Sequence, residues 1–169
     1  MSQLTGYRLA LINPHGDEFP DNNDTKIVEL QAQGLSPSAA GDRHVLLRWT
    51  NGYREGEAYT QVIHLTGGPG NYAFHTPSVK KHSPTSRLYN TFYSLGCYTR
   101  AQRDQIIQLA LSIRFNKRSQ VNDCVVWMRD LLEAMVANCL LHPDMLAHLD
   151  AQIPLKRRVP EPAPAGPSA

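Results

Sequence analysis

Two short runs carry the clearest strand-like patterning, His44-Val45-Leu46-Leu47-Arg48-Trp49 and Tyr59-Thr60-Gln61-Val62-Ile63-His64-Leu65, separated by the turn-rich TNGYREGEA. Apolar, β-branched and aromatic residues in runs of this length predict two antiparallel strands joined by a loop over Thr50–Ala58. Gly67-Gly68-Pro69-Gly70 ends the second strand, and Asn71 to His75 opens a third before Pro77. A further strand of mixed pattern is expected between Gly6 and Ile12, at a sheet edge. The stretch from Asn13 to about Asp42 is rich in Asn, Asp, Ser, Gly and Pro and reads as a long loop around a short helix at Thr25–Gln33.

The period changes in the second half. Thr99 followed by Gln102 forms a capping box, and Ile106, Ala110 and Ile113, with Ile107 and Leu111 beside them, make an apolar stripe at helical spacing. A helix over about Arg100–Arg114 follows. Another begins near Asn122 or Asp123, both good N-cap types, carries Cys124, Met128, Leu131 and Met135 on one face, and runs to about Leu141 before Pro143. From Leu155 onward, LKRRVPEPAPAGPSA has little to bury and predicts an extended, solvated tail. Strands first and helices afterwards give an α+β class, an antiparallel sheet packed against helices, in a single domain over residues 1–154. A chain of 169 residues can bury about 70% of its unfolded surface, so such a core needs no staples.

Charge narrows the partners. Seventeen Lys and Arg stand against fifteen Asp and Glu, and Lys156, Arg157, Arg158 and Glu161 fall in the tail, which leaves the body neutral. A surface built for nucleic acid is not expected. Three cysteines without a C-x-x-C pair fit neither a disulfide framework nor a zinc ribbon, and read as free thiols in a reducing compartment. The opening MSQLTGYR lacks a secretory pattern, and no apolar run is long enough to span a bilayer, so a cytoplasmic location is the expectation.

Cys124 falls in the first turn of the second predicted helix, where unpaired N–H groups and the macrodipole favour a thiolate. A cysteine on a helix facing a sheet is equally compatible with packing alone. A thiolate nucleophile needs a base. With a loop over Thr50–Ala58, Trp49 faces Tyr59 and every pair whose numbers sum to 108 is opposed, which sets His44 against His64 as cross-strand neighbours. Cys97 and Cys139 have no base in the pattern and read as structural. His75 and His82 offer a metal set with His44 and His64, yet no H-E-x-x-H is present, and neither metal nor cofactor is expected. The glycines at 67–70 lack a Gly-Lys-Ser/Thr ending and read as a turn. Lys80, Lys81 and Arg87 among Tyr89, Phe92 and Tyr93 fit either an anionic partner or a surface loop with its aromatics packed inward.

The order histidine, apolar strand, turn, Val62-Ile63-His64-Leu65 and then Asn122-Asp123-Cys124-Val125-Val126-Trp127 resembles the lecithin:retinol acyltransferase-like family, which belongs with the NlpC-type peptidases to the circularly permuted papain-like proteins. The resemblance spans about His44 to Val136. It implies a base at His44, a second histidine at His64 that orients it, and a nucleophile at Cys124, with Trp127 as the accompanying aromatic. Asn122, Trp127, Trp49 and Gln61 are then the expected substrate-binding residues. The implied activity is acyl transfer or amide or ester hydrolysis through a thioester, on a small-molecule or peptide substrate, with the oxyanion met by N–H groups at the helix start. Asp123 beside the thiol opposes a thiolate. It keeps open a non-catalytic binding protein on the same scaffold, and the two histidines alone would suit an acid–base isomerase or cyclase.

Overall fold

The structure, a computed structural model, describes residues 13–35 and 43–163; the strand expected at Gly6–Ile12 lies outside them. Its elements in chain order are β1 (Lys26–Gln33), β2 (Val45–Arg54), β3 (Glu57–Ile63), β4 (Leu65–Gly68), β5 (Asn71–Phe74), β6 (Val79–His82), α1 (Ser86–Tyr89), β7 (Asn90–Tyr98), α2 (Arg100–Ser112), α3 (Cys124–Ala137) and α4 (Pro143–Gln152). Five strands form an antiparallel sheet in the order β6-β3-β2-β1-β7, and β4 with β5 makes a separate hairpin. The class is mixed α+β.

The interior of the sheet corrects the expectation of a loop and helix at Thr25–Gln33. That segment is β1, hydrogen-bonded on both sides to β2 and β7. KIVELQAQ alternates, with Val28, Leu30 and Ala32 buried and Glu29 and Gln31 less so, a period of two that a helix would scatter around its circumference. These residues meet Val45, Leu47 and Trp49 of β2, and Leu131, Leu132 and Met135 of α3 and Ile106 of α2 complete the core. Each such side chain contributes about 1.5–3 kcal/mol on burial.

The β2–β3 connection is also tighter than expected. Pairing continues to Arg54↔Glu57, and the turn is the two residues Glu55 and Gly56, both with positive φ, 53° and 80°. That is the backbone of a type I′ hairpin, whose twist matches the strands. Trp49 therefore pairs with Gln61 and not with Tyr59, a shift of two residues along the partner strand. A slip of two preserves the face each side chain occupies, whereas a slip of one would have inverted it.

Among the helices, α2 opens on the reciprocal Thr99–Gln102 capping box. Its buried face is Arg103, Ile106 and Ala110, while Leu111 is exposed. Helix α3 ends at Ala137, before the expected Leu141, because Cys139 takes a left-handed φ of 56° and the Cys139 and Leu140 N–H groups return to Val136 and Met135. This Schellman closure is usually built on glycine. Cys139→Gly is expected to stabilise the protein by about 0.5–1 kcal/mol, because the side chain is exposed and the strain is removed. A lower urea midpoint in the variant would show instead that the side chain packs usefully. Helix α4 was not expected, although His142 caps it and Pro143 sits in its first turn.

The tail differs from the expectation of a solvated extension from Leu155. Leu155 is buried, Val159 exchanges two hydrogen bonds with the Asn122 side chain, Lys156 pairs with Asp123 and Arg158 with Asp130. Its prolines keep the backbone extended, but the charged and backbone groups between them are held on α3.

Candidate active site

His44 enters the site because the residue before it is anchored. The Arg43 guanidinium donates to the carbonyls of Gln33 and Gly34 and to Thr91 Oγ1, which ties the start of β2 to the ends of β1 and β7. The Gln33 N–H donates to the His44 carbonyl, so His44 continues the β1–β2 ladder one residue beyond the named strand. His64 sits where the chain leaves β3 for β4, passing from the five-stranded sheet to the small hairpin. With the observed register the two histidines are diagonal neighbours and not directly opposed. The rings still meet edge to face, centroids 5.1 Å apart, with His44 Nε2 2.8 Å from His64 Nδ1.

The third member comes from α3. Cys124 is its first residue, partly buried, and its Sγ lies 3.3 Å from His44 Nδ1. One imidazole thus touches the sulfur with one nitrogen and a second imidazole with the other. If His44 Nδ1 is to accept the thiol proton, its Nε2 must carry hydrogen and donate to His64 Nδ1. Burial, and then the positive charge of Lys80, lowers the His44 pKa below its ordinary value. Burial, Lys80 and His44 itself depress His64 to about 3. Both rings are therefore neutral near pH 7, as an acceptor and its orienting partner need to be.

Asp123, beside the thiol, also has a structural role. It is the N-cap of α3: Oδ1 accepts from the Val125 and Val126 N–H groups, and Oδ2 lies 3.2 Å from Lys156 Nζ. Its two oxygens are divided between the helix terminus and a lysine from the tail. The same contacts correct the expected oxyanion hole, because two of the N–H groups at the helix start are already engaged by Asp123.

The expected substrate-binding residues do not gather around the sulfur. Trp49 and Trp127 are core residues, 1% and 0% exposed, and so offer no surface to a ligand. Trp49 Nε1 donates to Asp21, and Trp127 lies against Phe74. Gln61, 3% exposed, faces a different cavity, shared with Asp21, Arg100 and Asp104 beside α2. The Asn122 side chain is held by Val159 and Glu161 of the tail. Alternation along β2 and β3 accounts for Trp49 and Gln61: both lie on the helix-covered face with Leu47 and Ile63.

Cys97 and Cys139 are exposed, and His82 lies far along β3 from His64, paired through the backbone with Ala58. Among the described residues no group of three His, Cys, Asp or Glu side chains is placed to hold a metal ion, and no helix is long and apolar enough to cross a membrane. Compared with family models, with curated proteins and with solved structures, the chain matches none of them.

Proposed function

We propose that the protein is a cysteine acyltransferase or amide/ester hydrolase of the permuted papain-like type, working through a thioester on Cys124. The observation that carries this reading is the continuous contact Cys124 Sγ–His44 Nδ1–His44 Nε2–His64 Nδ1, at 3.3 and 2.8 Å. The chain order supports it as well, with base and orienting histidine on early strands and the nucleophile opening a later helix. The resemblance to lecithin:retinol acyltransferase-like and NlpC-type proteins rests on these same positions.

In the proposed reaction His44 Nδ1 takes the Cys124 proton while the sulfur attacks the acyl carbonyl. The tetrahedral adduct collapses to a thioester as the imidazolium returns the proton to the departing amine or alcohol. His44 then deprotonates water, an amine or an alcohol, which attacks the thioester. As this second adduct collapses, the proton held by His44 returns to the sulfur. His64 accepts from His44 Nε2–H throughout, which holds the productive tautomer and spreads the imidazolium charge.

p-Nitrophenyl acetate supplies a direct test. Intact-protein and peptide mass spectrometry are expected to find one acetyl group, on Cys124, and none after Cys124→Ser. The rate should fall on acidification with an inflection below the ordinary imidazole value of 6.5, because His44 protonates only below it. Equal acetylation of Cys97, Cys124 and Cys139 would overturn the assignment.

A further inference from the structure

The far end of the same sheet carries a second arrangement of polar groups that the thiol chemistry does not use. Beneath the β2–β3 turn is a cavity of about 190 Å³ walled by Arg48, Thr50, His82, Ser83, Ser86 and Arg87 among others, with no carboxylate in its lining. His82 is paired with Ala58, six residues along β3 from His64, so the cavity lies about 20 Å from the cysteine site. We propose that this cavity binds a tetrahedral oxyanion, the phosphate or sulfate group of a small molecule or lipid headgroup.

Two buried nitrogens point to such a ligand. Arg48 is 3% exposed; its Nη1 donates to Gln31 and its Nη2 to Thr60, but Nε has no hydrogen-bond partner among the described residues. His82 Nε2 is in the same condition. A buried polar nitrogen left unpaired carries the cost of its desolvation, and both of these belong to side chains that line the one cavity. The charge balance agrees. Glu29 is outside the lining, accepts from Arg87 Nη2 at 2.7 and 2.9 Å, and stands 3.8 Å from Arg48 Nε. One carboxylate thus faces two guanidinium groups, which flank the Phe92 ring at 5.3 and 4.5 Å from its centroid.

The geometry favours a tetrahedral anion over a planar one. Donors arrive from three elements, Arg48 on β2, His82 on β6, and the serines and Arg87 around α1, so several oxygens pointing in different directions can be met at once. Burial, with Arg48 and Lys80 adding to it, depresses His82 to about 4, so at neutral pH its ring is uncharged and offers one N–H donor.

The test follows the His82 ring signals by NMR in the full chain. Titration with inorganic phosphate or sulfate is expected to give a saturable shift that chloride at equal ionic strength does not reproduce. Arg87→Ala, an exposed position outside the core, should weaken binding about tenfold or more, and Ser83→Ala by less. Glycerol phosphate separates the sources from vesicles of phosphatidylcholine with or without phosphatidic acid. A ring shift with glycerol phosphate supports a soluble ester, and co-sedimentation that needs phosphatidic acid and Arg87 supports a headgroup. No saturable shift, an equal response to chloride, or an Arg87→Ala affinity equal to wild type would overturn the site.

Discussion

Replacing His44 by alanine is expected to slow acylation of Cys124 by about 10²–10⁴-fold, the range lost when a positioned base is removed. The variant leaves Sγ at the head of α3 but takes away the group 3.3 Å from it, so the thiol must ionise into water. Cys97 and Cys139 serve as internal references, since both are exposed and neither is attached to the histidine pair. Their alkylation should be unchanged. His64→Ala should cost less, because His64 touches His44 and not the sulfur; it is a positioning residue. His64→Gln supplies a side-chain oxygen for the His44 Nε2–H and is expected to recover part of the loss, whereas a merely structural role would give alanine and glutamine the same effect. Iodoacetamide kinetics across pH reads both outcomes. A His44→Ala rate within twofold of wild type would remove the base from the mechanism and leave Cys124 a packing residue.

The parts of this site that were legible in the sequence are those set by short-range rules. An N-cap residue before an apolar helical stripe located Cys124 in a first turn, and Asp123 does cap that helix. Strand alternation puts His44 and His64 near one another even though the turn is tighter than the sequence predicts. Treating Thr50–Ala58 as a loop placed the register two residues off, and a two-residue error keeps parity, so the rings still meet. The sequence was silent where tertiary partners decide. Asn and Asp around positions 21–24 pointed to a loop, and that signal masked the alternation of KIVELQAQ immediately after it. Arg54-Glu55-Gly56-Glu57 reads as polar loop until two positive φ angles turn it into a tight hairpin. The resemblance places Trp49 and Trp127 at the substrate, but the hydrophobic gain from burying each ring in the core outweighs that role. The prolines of the tail predict a solvated extension, although its cations find Asp123 at the N-cap of α3 and Asp130 within it.

The second large effect is structural. Arg103→Met is expected to destabilise the fold by about 3–5 kcal/mol, the cost of breaking a buried ion pair from one side. Arg103 is fully buried, and all five of its N–H donors are used. Nε and Nη2 grip the two Asp21 oxygens at 3.0 Å each, Nη1 donates to the Asp24 and Tyr98 carbonyls, and Nη2 also donates to Asn22. Methionine fills similar space but leaves three carbonyls without these donors and Asp21 with Lys26, the Asn22 N–H and the Trp49 N–H as its remaining donors. Arg103→Lys keeps the charge and at most three of the five bonds, so its loss should fall between. The pH dependence has a fixed sign. Burial would raise the Asp21 pKa, but the hydrogen bonds from Arg103 and Lys26 outweigh it and hold the group below 3.8. The folded value lies below the unfolded one, so the pair's contribution is present in full above the unfolded pKa and is lost as pH falls through the folded one. The gap between wild type and Arg103→Met should therefore narrow below about pH 4, whereas the buried neutral His64 and His82 erode the stability of both proteins as pH falls from 6.5 toward 3 and 4. Urea unfolding at a series of pH values measures both trends. A loss under about 1 kcal/mol at pH 7, or a gap that stays constant down to pH 3, would show that the Asp21–Arg103 pair does not hold the loop before β1 to the helix.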